Sequence, residues 1–321
     1  MSPQGRPNGE FPPEGTARSA KGAPIGLQWR GQRERGSRKA LRLMVWLALH
    51  CGRTACRVLL VPISSYFFVA APLARRSSQA FMNRALDKRP TWRDTFMHLF
   101  VFATTLLDRV YLVNGRHRDF SVDVNNEQVF LDALAEGRGC LLLGSHLGSF
   151  EMLGIIGSAE KKLTINVVMH LDDSARLRDL LLVSGNALPY KVITLGQPGS
   201  MLRVKECLER GEVVGILADR VYGSEPAQWL PFLGRPARFS LSPMRLATIA
   251  GAPVVVVFGL FRGGRRYEIV FEPLRKRRFD GAQRPAPPGP LHALQCYVEN
   301  LEHHARHSPY NWFNFYDYWS A

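Results

Sequence analysis

The chain has 321 residues, 46% apolar and 21% charged, enough for one large domain with additions. Its formal charge of +15 calls for an anionic partner, and three classes qualify: nucleic acid, an anionic membrane leaflet or an acidic carrier protein. Neither zinc-finger spacing nor an RNP-type aromatic strand occurs, so no nucleic-acid partner is expected. Five scattered cysteines, Cys51, Cys56, Cys140, Cys207 and Cys296, exclude a disulfide scaffold and fit a reducing compartment.

Residues 1–38 form a basic tail, and its start, with Pro3, Pro7, Pro12 and Pro13, reads as disordered. An apolar stretch does not begin until Leu41, too late for a signal peptide. Residues 39–89 carry two apolar stretches, Leu41 to Leu49 and Val58 to Ala74, the second bounded by Arg57 and Arg75-Arg76. As a helix, its seventeen residues reach roughly 25 Å, marginal for the hydrocarbon core, and Pro62 and Pro72 interrupt it. Helices embedded in one leaflet, with arginines reaching back to headgroups, fit better than a span. The competing reading is a helix pair packed on the enzyme core. Clustered cations beside apolar segments favour an anionic membrane, each contributing about 1 kcal/mol.

Residues 90–321 alternate helix and strand. Helices are expected near Trp92 to Val110, Asn126 to Glu136, Ser174 to Ser184, Ser200 to Glu209 and Leu241 to Ala250. Strands are expected at Cys140 to Leu143, Leu163 to Met169, Lys191 to Leu195, Val213 to Ala218, Pro253 to Leu260 and Tyr267 to Glu272. The fold class is therefore α/β: a mixed, largely buried central sheet flanked by helices, with N-terminal membrane-associated helices. Asp108-Arg109 reads as a surface or interhelical pair without a chemical role. The cluster Arg275-Lys276-Arg277-Arg278 is a solvated run, or alternatively a dock for an acidic carrier. His303 and His307, four apart, could share a divalent ion, but no H-E-x-x-H or cysteine pair accompanies them, so neither metal nor cofactor is expected. The aromatic tail after Pro309 is expected to cover the core or meet lipid.

One run carries chemistry: Gly144-Ser145-His146-Leu147-Gly148-Ser149-Phe150-Glu151, between apolar Cys140 to Leu143 and Met152 to Ile156. Strand, tight loop and helix would let His146 meet a carboxylate in the first helical turn. His146 would then take a proton from a bound hydroxyl, and Glu151 would fix the ring tautomer and steady the imidazolium. Gly148 would let backbone N–H groups and the helix N-terminus approach a developing oxyanion. The competing reading makes His146 a loop residue and Glu151 a helix-start preference. Ser145 and Ser149 invite a serine-dependent lipid hydrolase, although the run is not G-x-S-x-G; otherwise they are loop or capping residues. Cys140 reads as a packing residue.

This H-x4-E motif, followed by Arg210-Gly211-Glu212-Val213-Val214-Gly215-Ile216-Leu217-Ala218-Asp219-Arg220 and by Pro231-Phe232-Leu233-Gly234-Arg235-Pro236-Ala237, resembles the bacterial late acyltransferases of lipid A biosynthesis. The likeness runs from about Trp29 onward and belongs to a lysophospholipid acyltransferase-like group. Phe150 replaces a usual tryptophan. The C-terminal block lacks the family's histidine and arginine after Trp312, and its aromatic ending looks more like the acyltransferases associated with aryl polyene lipids.

The resemblance implies a membrane-associated O-acyltransferase at the cytoplasmic face of the bacterial inner membrane. Its donor would be acyl carrier protein rather than acyl-CoA, and its acceptor a lipid or glycolipid hydroxyl. His146 and Glu151 carry over as the catalytic pair, with Ser145, Gly148, Asp219 and Arg220 lining the substrate site. Arg220 suits phosphate or carboxylate, or else pairs with Asp219. The remaining alternative is a noncatalytic membrane-bound scaffold.

Overall fold

The computed structural model describes residues 38–150, 152–154, 163–170, 190–274 and 289–319. The expected helix at Ser174 to Ser184, Glu151, the Arg275 to Arg278 cluster and the N-terminal tail lie outside the described residues, save Arg38 at the tail's end.

A seven-stranded mixed sheet organises the chain, in the order β1 (Ser121–Asn125), β9 (Arg266–Pro273), β8 (Val254–Phe261), β2 (Cys140–Gly144), β5 (Val213–Leu217), β3 (Ile165–Met169) and β4 (Lys191–Thr194). All neighbours are parallel except β8 and β9. The expected fold class holds. Three strands escaped the sequence reading: the short edge strand β1 and a separate antiparallel hairpin of β6 (Ala227–Phe232) and β7 (Arg235–Ser240). The sequence marks the hairpin residues only as a motif block. In β1, all but Val122 are exposed, so it lacks the continuous apolar run of the central strands.

Every residue of β2 is buried, because β8 and β5 flank it and helices cover both faces. Leu141 and Leu143 point to one face, with Phe81 and Met82 of α2 (Pro72–Ala85), Val204 of α5 (Ser200–Glu209), Met244 of α6 (Ser242–Ala250) and Leu294 of α7 (Pro290–His307). Cys140 and Leu142 point to the other, toward α1 (Arg38–Ala70), α3 (Trp92–Val113) and α4 (Glu127–Leu134). This alternation is the two-residue period of a strand sandwiched between helical layers.

The N-terminal helices depart from expectation in one respect. Pro62 sits inside α1 without ending it, and the break falls at Gly52, whose φ of 80° and ψ of 163° suit glycine. Pro72 opens α2, where its missing N–H costs nothing. Beside the kink, Arg53 makes a two-point pair with Asp108 of α3, at 2.6 and 2.9 Å, and Tyr267 of β9 donates to the same carboxylate at 2.8 Å. Of the two readings for Asp108-Arg109, surface or interhelical, Asp108 takes the interhelical one, with Arg53 as its partner. Tyr111 of α3 adds a bond of 2.5 Å to the Ala48 carbonyl.

Among the described residues two helices are long and apolar enough to cross a membrane, α1 from Arg42 and α3. They differ in burial: α3 hides 67% of its most apolar window and is a core helix, whereas α1 hides 28%. Val58, Val61, Tyr66 and Val69 of α1 are exposed.

Candidate active site

Strand register brings the motif residues together. Gly144, the last residue of β2, is paired with Leu217, the last of β5, so positions two further on lie side by side where the chains leave the sheet. Those positions hold His146 and Asp219. His146 Nδ1 lies 2.8 Å from Asp219 Oδ1, and the His146 backbone N–H donates to Oδ2 at 3.1 Å. Asp219 is fully buried, while the His146 side chain keeps 17% of its surface accessible.

A carboxylate can only accept, so Nδ1 carries the hydrogen and Nε2 keeps the lone pair. Burial pushes the Asp219 carboxyl upward, but the charge and hydrogen bond of His146, then Arg220 and Asn314, outweigh it and hold the group at about 2. Above about pH 4 the site therefore presents a fixed anion beneath the His146 ring.

The loop after β2 is tied down completely. Leu147 donates to Ser145 Oγ at 3.3 Å, Gly148 to the Asn311 carbonyl at 2.8 Å and Ser149 to the Gly259 carbonyl at 2.7 Å. The backbone N–H groups of residues 146 to 149 are thus all engaged inside the protein and are not offered to an oxyanion, while the helix start at Glu151 lies outside the described residues. Gly148 serves a different need. Its φ is +84°, and a Cβ there would fall 2.0 Å from the Gly259 carbonyl oxygen of β8, so only glycine permits the crossing. Phe150 has a comparable reason for its place, since its ring fills a slot left by two glycines. A Cβ on Gly144 or Gly215 would stand 2.4 or 2.5 Å from ring atoms.

Ser145 is buried, and its hydroxyl is shared between Leu147 N–H and Tyr297. Ser149 is buried too. Arg220 donates from Nε to Asn314 Oδ1 at 2.8 Å and from a terminal nitrogen to the Phe313 carbonyl at 3.2 Å, with Tyr316 under its guanidinium. The His303 and His307 rings pack tilted against each other, 4.2 Å between centroids, and His307 Nδ1 bonds the His303 carbonyl at 2.7 Å. Among the described residues no group of three metal-ligating side chains gathers.

Sequence reasoning missed the C-terminal segment. Phe313 N–H donates to the His146 carbonyl at 2.7 Å, Asn314 Nδ2 to Asp219 Oδ2 at 3.0 Å and Tyr318 OH to the Asp219 carbonyl at 2.5 Å. From α7, Tyr297 OH donates to the Gly144 carbonyl at 2.8 Å. The aromatic run does cover the core, with Trp312 fully buried. The available signal was polar: Asn311 and Asn314 stand in an otherwise apolar run.

In comparison with known proteins, residues 92–319 match a family described as bacterial lipid A biosynthesis acyltransferase. No curated protein matches the chain.

Proposed function

Because the chain belongs to the bacterial lipid A biosynthesis acyltransferase family it is an acyltransferase acting on lipid, and we propose that His146 is its general base. Its donor is an acyl thioester, acyl carrier protein in preference to coenzyme A, and its acceptor is a hydroxyl on a lipid or glycolipid. Nε2 removes the hydroxyl proton as the oxygen attacks the thioester carbonyl. When the tetrahedral intermediate collapses, the C–S bond breaks and the imidazolium returns a proton to the departing thiolate.

The observation that carries this reading is the 2.8 Å contact between His146 Nδ1 and Asp219, the ring being the more accessible partner. Asp219 takes the tautomer-fixing part that the sequence reading gave to Glu151, because an orienting carboxylate must occupy Nδ1 if Nε2 is to act. Glu151 keeps a supporting part, countering the imidazolium charge. Ser145, Gly148 and Arg220 shape the cleft through the loop and the C-terminal segment. The serine-hydrolase alternative has little to support it, since both serines are buried.

The exposed apolar face of α1 and the basic N-terminal segment support anchorage in the cytoplasmic leaflet of the inner membrane. We propose residues 1–38 as a basic tail, 39–89 as the anchor and 90–321 as the acyltransferase domain. The aromatic ending favours an acceptor of the aryl polyene type over a lipid A precursor.

The test is acyl transfer from acyl carrier protein to extracted bacterial lipid. His146→Ala and Glu151→Ala should each fold and reach membranes normally, yet transfer at least about a hundredfold more slowly. Ordinary activity in both variants would end the proposal.

A further inference from the structure

We infer that Asn314 is a positioning residue of this site, acting through Asp219 on the His146 imidazole. The inference rests on the general-base reading above. Asn314 is buried, and both halves of its amide are committed: Nδ2–H donates to Asp219 Oδ2 at 3.0 Å, while Oδ1 accepts from Arg220 Nε at 2.8 Å. Arginine has no acceptor, so the amide cannot be turned round without losing both bonds.

Asp219 needs such a partner. Its Oδ1 serves the His146 ring, and its Oδ2 also receives the His146 backbone N–H at 3.1 Å. With Asn314 the carboxylate is held at both oxygens, so its plane and that of the ring are fixed together. Asn314 also keeps Arg220 occupied. Without the amide oxygen, Arg220 would keep its bond to the Phe313 carbonyl, but its Nε would lose the partner that links it to Asp219.

Three tyrosines among the described residues also face the carboxylate. Burial pushes the hydroxyls of Tyr297, Tyr316 and Tyr318 upward, leaving them uncharged near neutral pH. Among the described residues, Asp219 and Arg220 are the charges gathered here, and Asn314 bonds to both.

Two variants separate this role from mere packing. Asn314→Ala should fold, as judged by thermal unfolding, and transfer acyl groups from acyl carrier protein to extracted lipid ten- to a hundredfold more slowly, with KM for the carrier thioester within threefold of wild type. Asn314→Asp keeps an oxygen for Arg220 but sets a second carboxyl against Asp219, where the two must share a proton. The titration curve of the His146 ring should then depart from that of wild type. The curve is read from the Cε1 signal of 13C-labelled histidine in the detergent-solubilised full chain, assigned by its loss in His146→Ala. A structural role alone would lower thermal stability and leave this titration in place.

If His146→Ala retains transfer, the general-base reading itself is wrong. If His146→Ala is inactive while Asn314→Asp titrates like wild type and Asn314→Ala transfers within threefold of it, only the role of Asn314 is overturned.

Discussion

At the scale of single residues, Asp219 and Gly148 show how much geometry one position can impose. Asp219→Asn would present an amide to Nδ1, favouring the tautomer whose hydrogen sits on Nε2, the wrong nitrogen for a base. We expect turnover to fall by about a thousandfold with KM little changed, measured as acyl transfer at saturating donor. Gly148→Ala meets two obstacles, a positive φ and the Gly259 carbonyl. It should cost at least about 3 kcal/mol in denaturant unfolding, because β8 or the loop must move to admit the methyl group. His146 was legible from its place at the end of an apolar run beside glycines, and Asp219 from the second block. Their pairing was not, since 73 residues separate them and only the register of β2 on β5 joins them. Asn314 carried still less signal, as an asparagine among aromatics has no periodicity to betray it.

Elements are held to one another by a few buried polar contacts, and here sequence reading was weakest. It found most helices and strands within a few residues, because apolar periodicity is local. It could not name Arg53 as the interhelical partner of Asp108, because that depends on how α1 crosses α3. Asp108→Ala would leave the Arg53 guanidinium buried without its anion, and a loss of about 3 to 5 kcal/mol is expected in urea unfolding. His98 of α3 forms another such tie. Its Nε2 lies 2.7 Å from the Trp312 carbonyl, so it donates there, and Nδ1 accepts from Ser78 of α2 at 2.8 Å.

Burial lowers the His98 ring to about 4 against the opposing pull of that carbonyl. Unfolded, it would titrate near 6.5, so between these values the unfolded chain binds the extra proton. The stabilisation is complete above pH 6.5 and fades as pH falls toward 4, by roughly 3 kcal/mol. Thermal unfolding from pH 7.5 to 4.5 should show this decline, and His98→Gln should flatten it. Asp219 acts in a lower window: its folded value of about 2 lies below the unfolded one, so its contribution is lost only as pH falls from about 4 to 2.

For the whole molecule, the sheet divides the core into two layers, and α1 belongs to the layer that leaves an apolar face open. With a formal charge of +15, the chain should pellet with vesicles containing anionic phosphatidylglycerol more than with neutral ones, and rising salt should weaken the difference. Replacing Val58 and Val69 by aspartate should reduce binding at every salt concentration, because the apolar part of the attraction is not screened. Mass spectrometry of lipids from cells making the wild-type or His146→Ala chain should reveal one acylated species that depends on His146, naming acyl group and acceptor together.

The bracing of the two strand ends from residues 311 to 318 has a consequence for synthesis. A nascent chain exposes its N-terminal helices first and displays the histidine long before the ribosome has delivered the segment that squares up the aspartate beneath it. On the anchorage proposed above, attachment to the bilayer precedes competence, and a product cut short before residue 311 should reach the membrane with its chemistry unassembled.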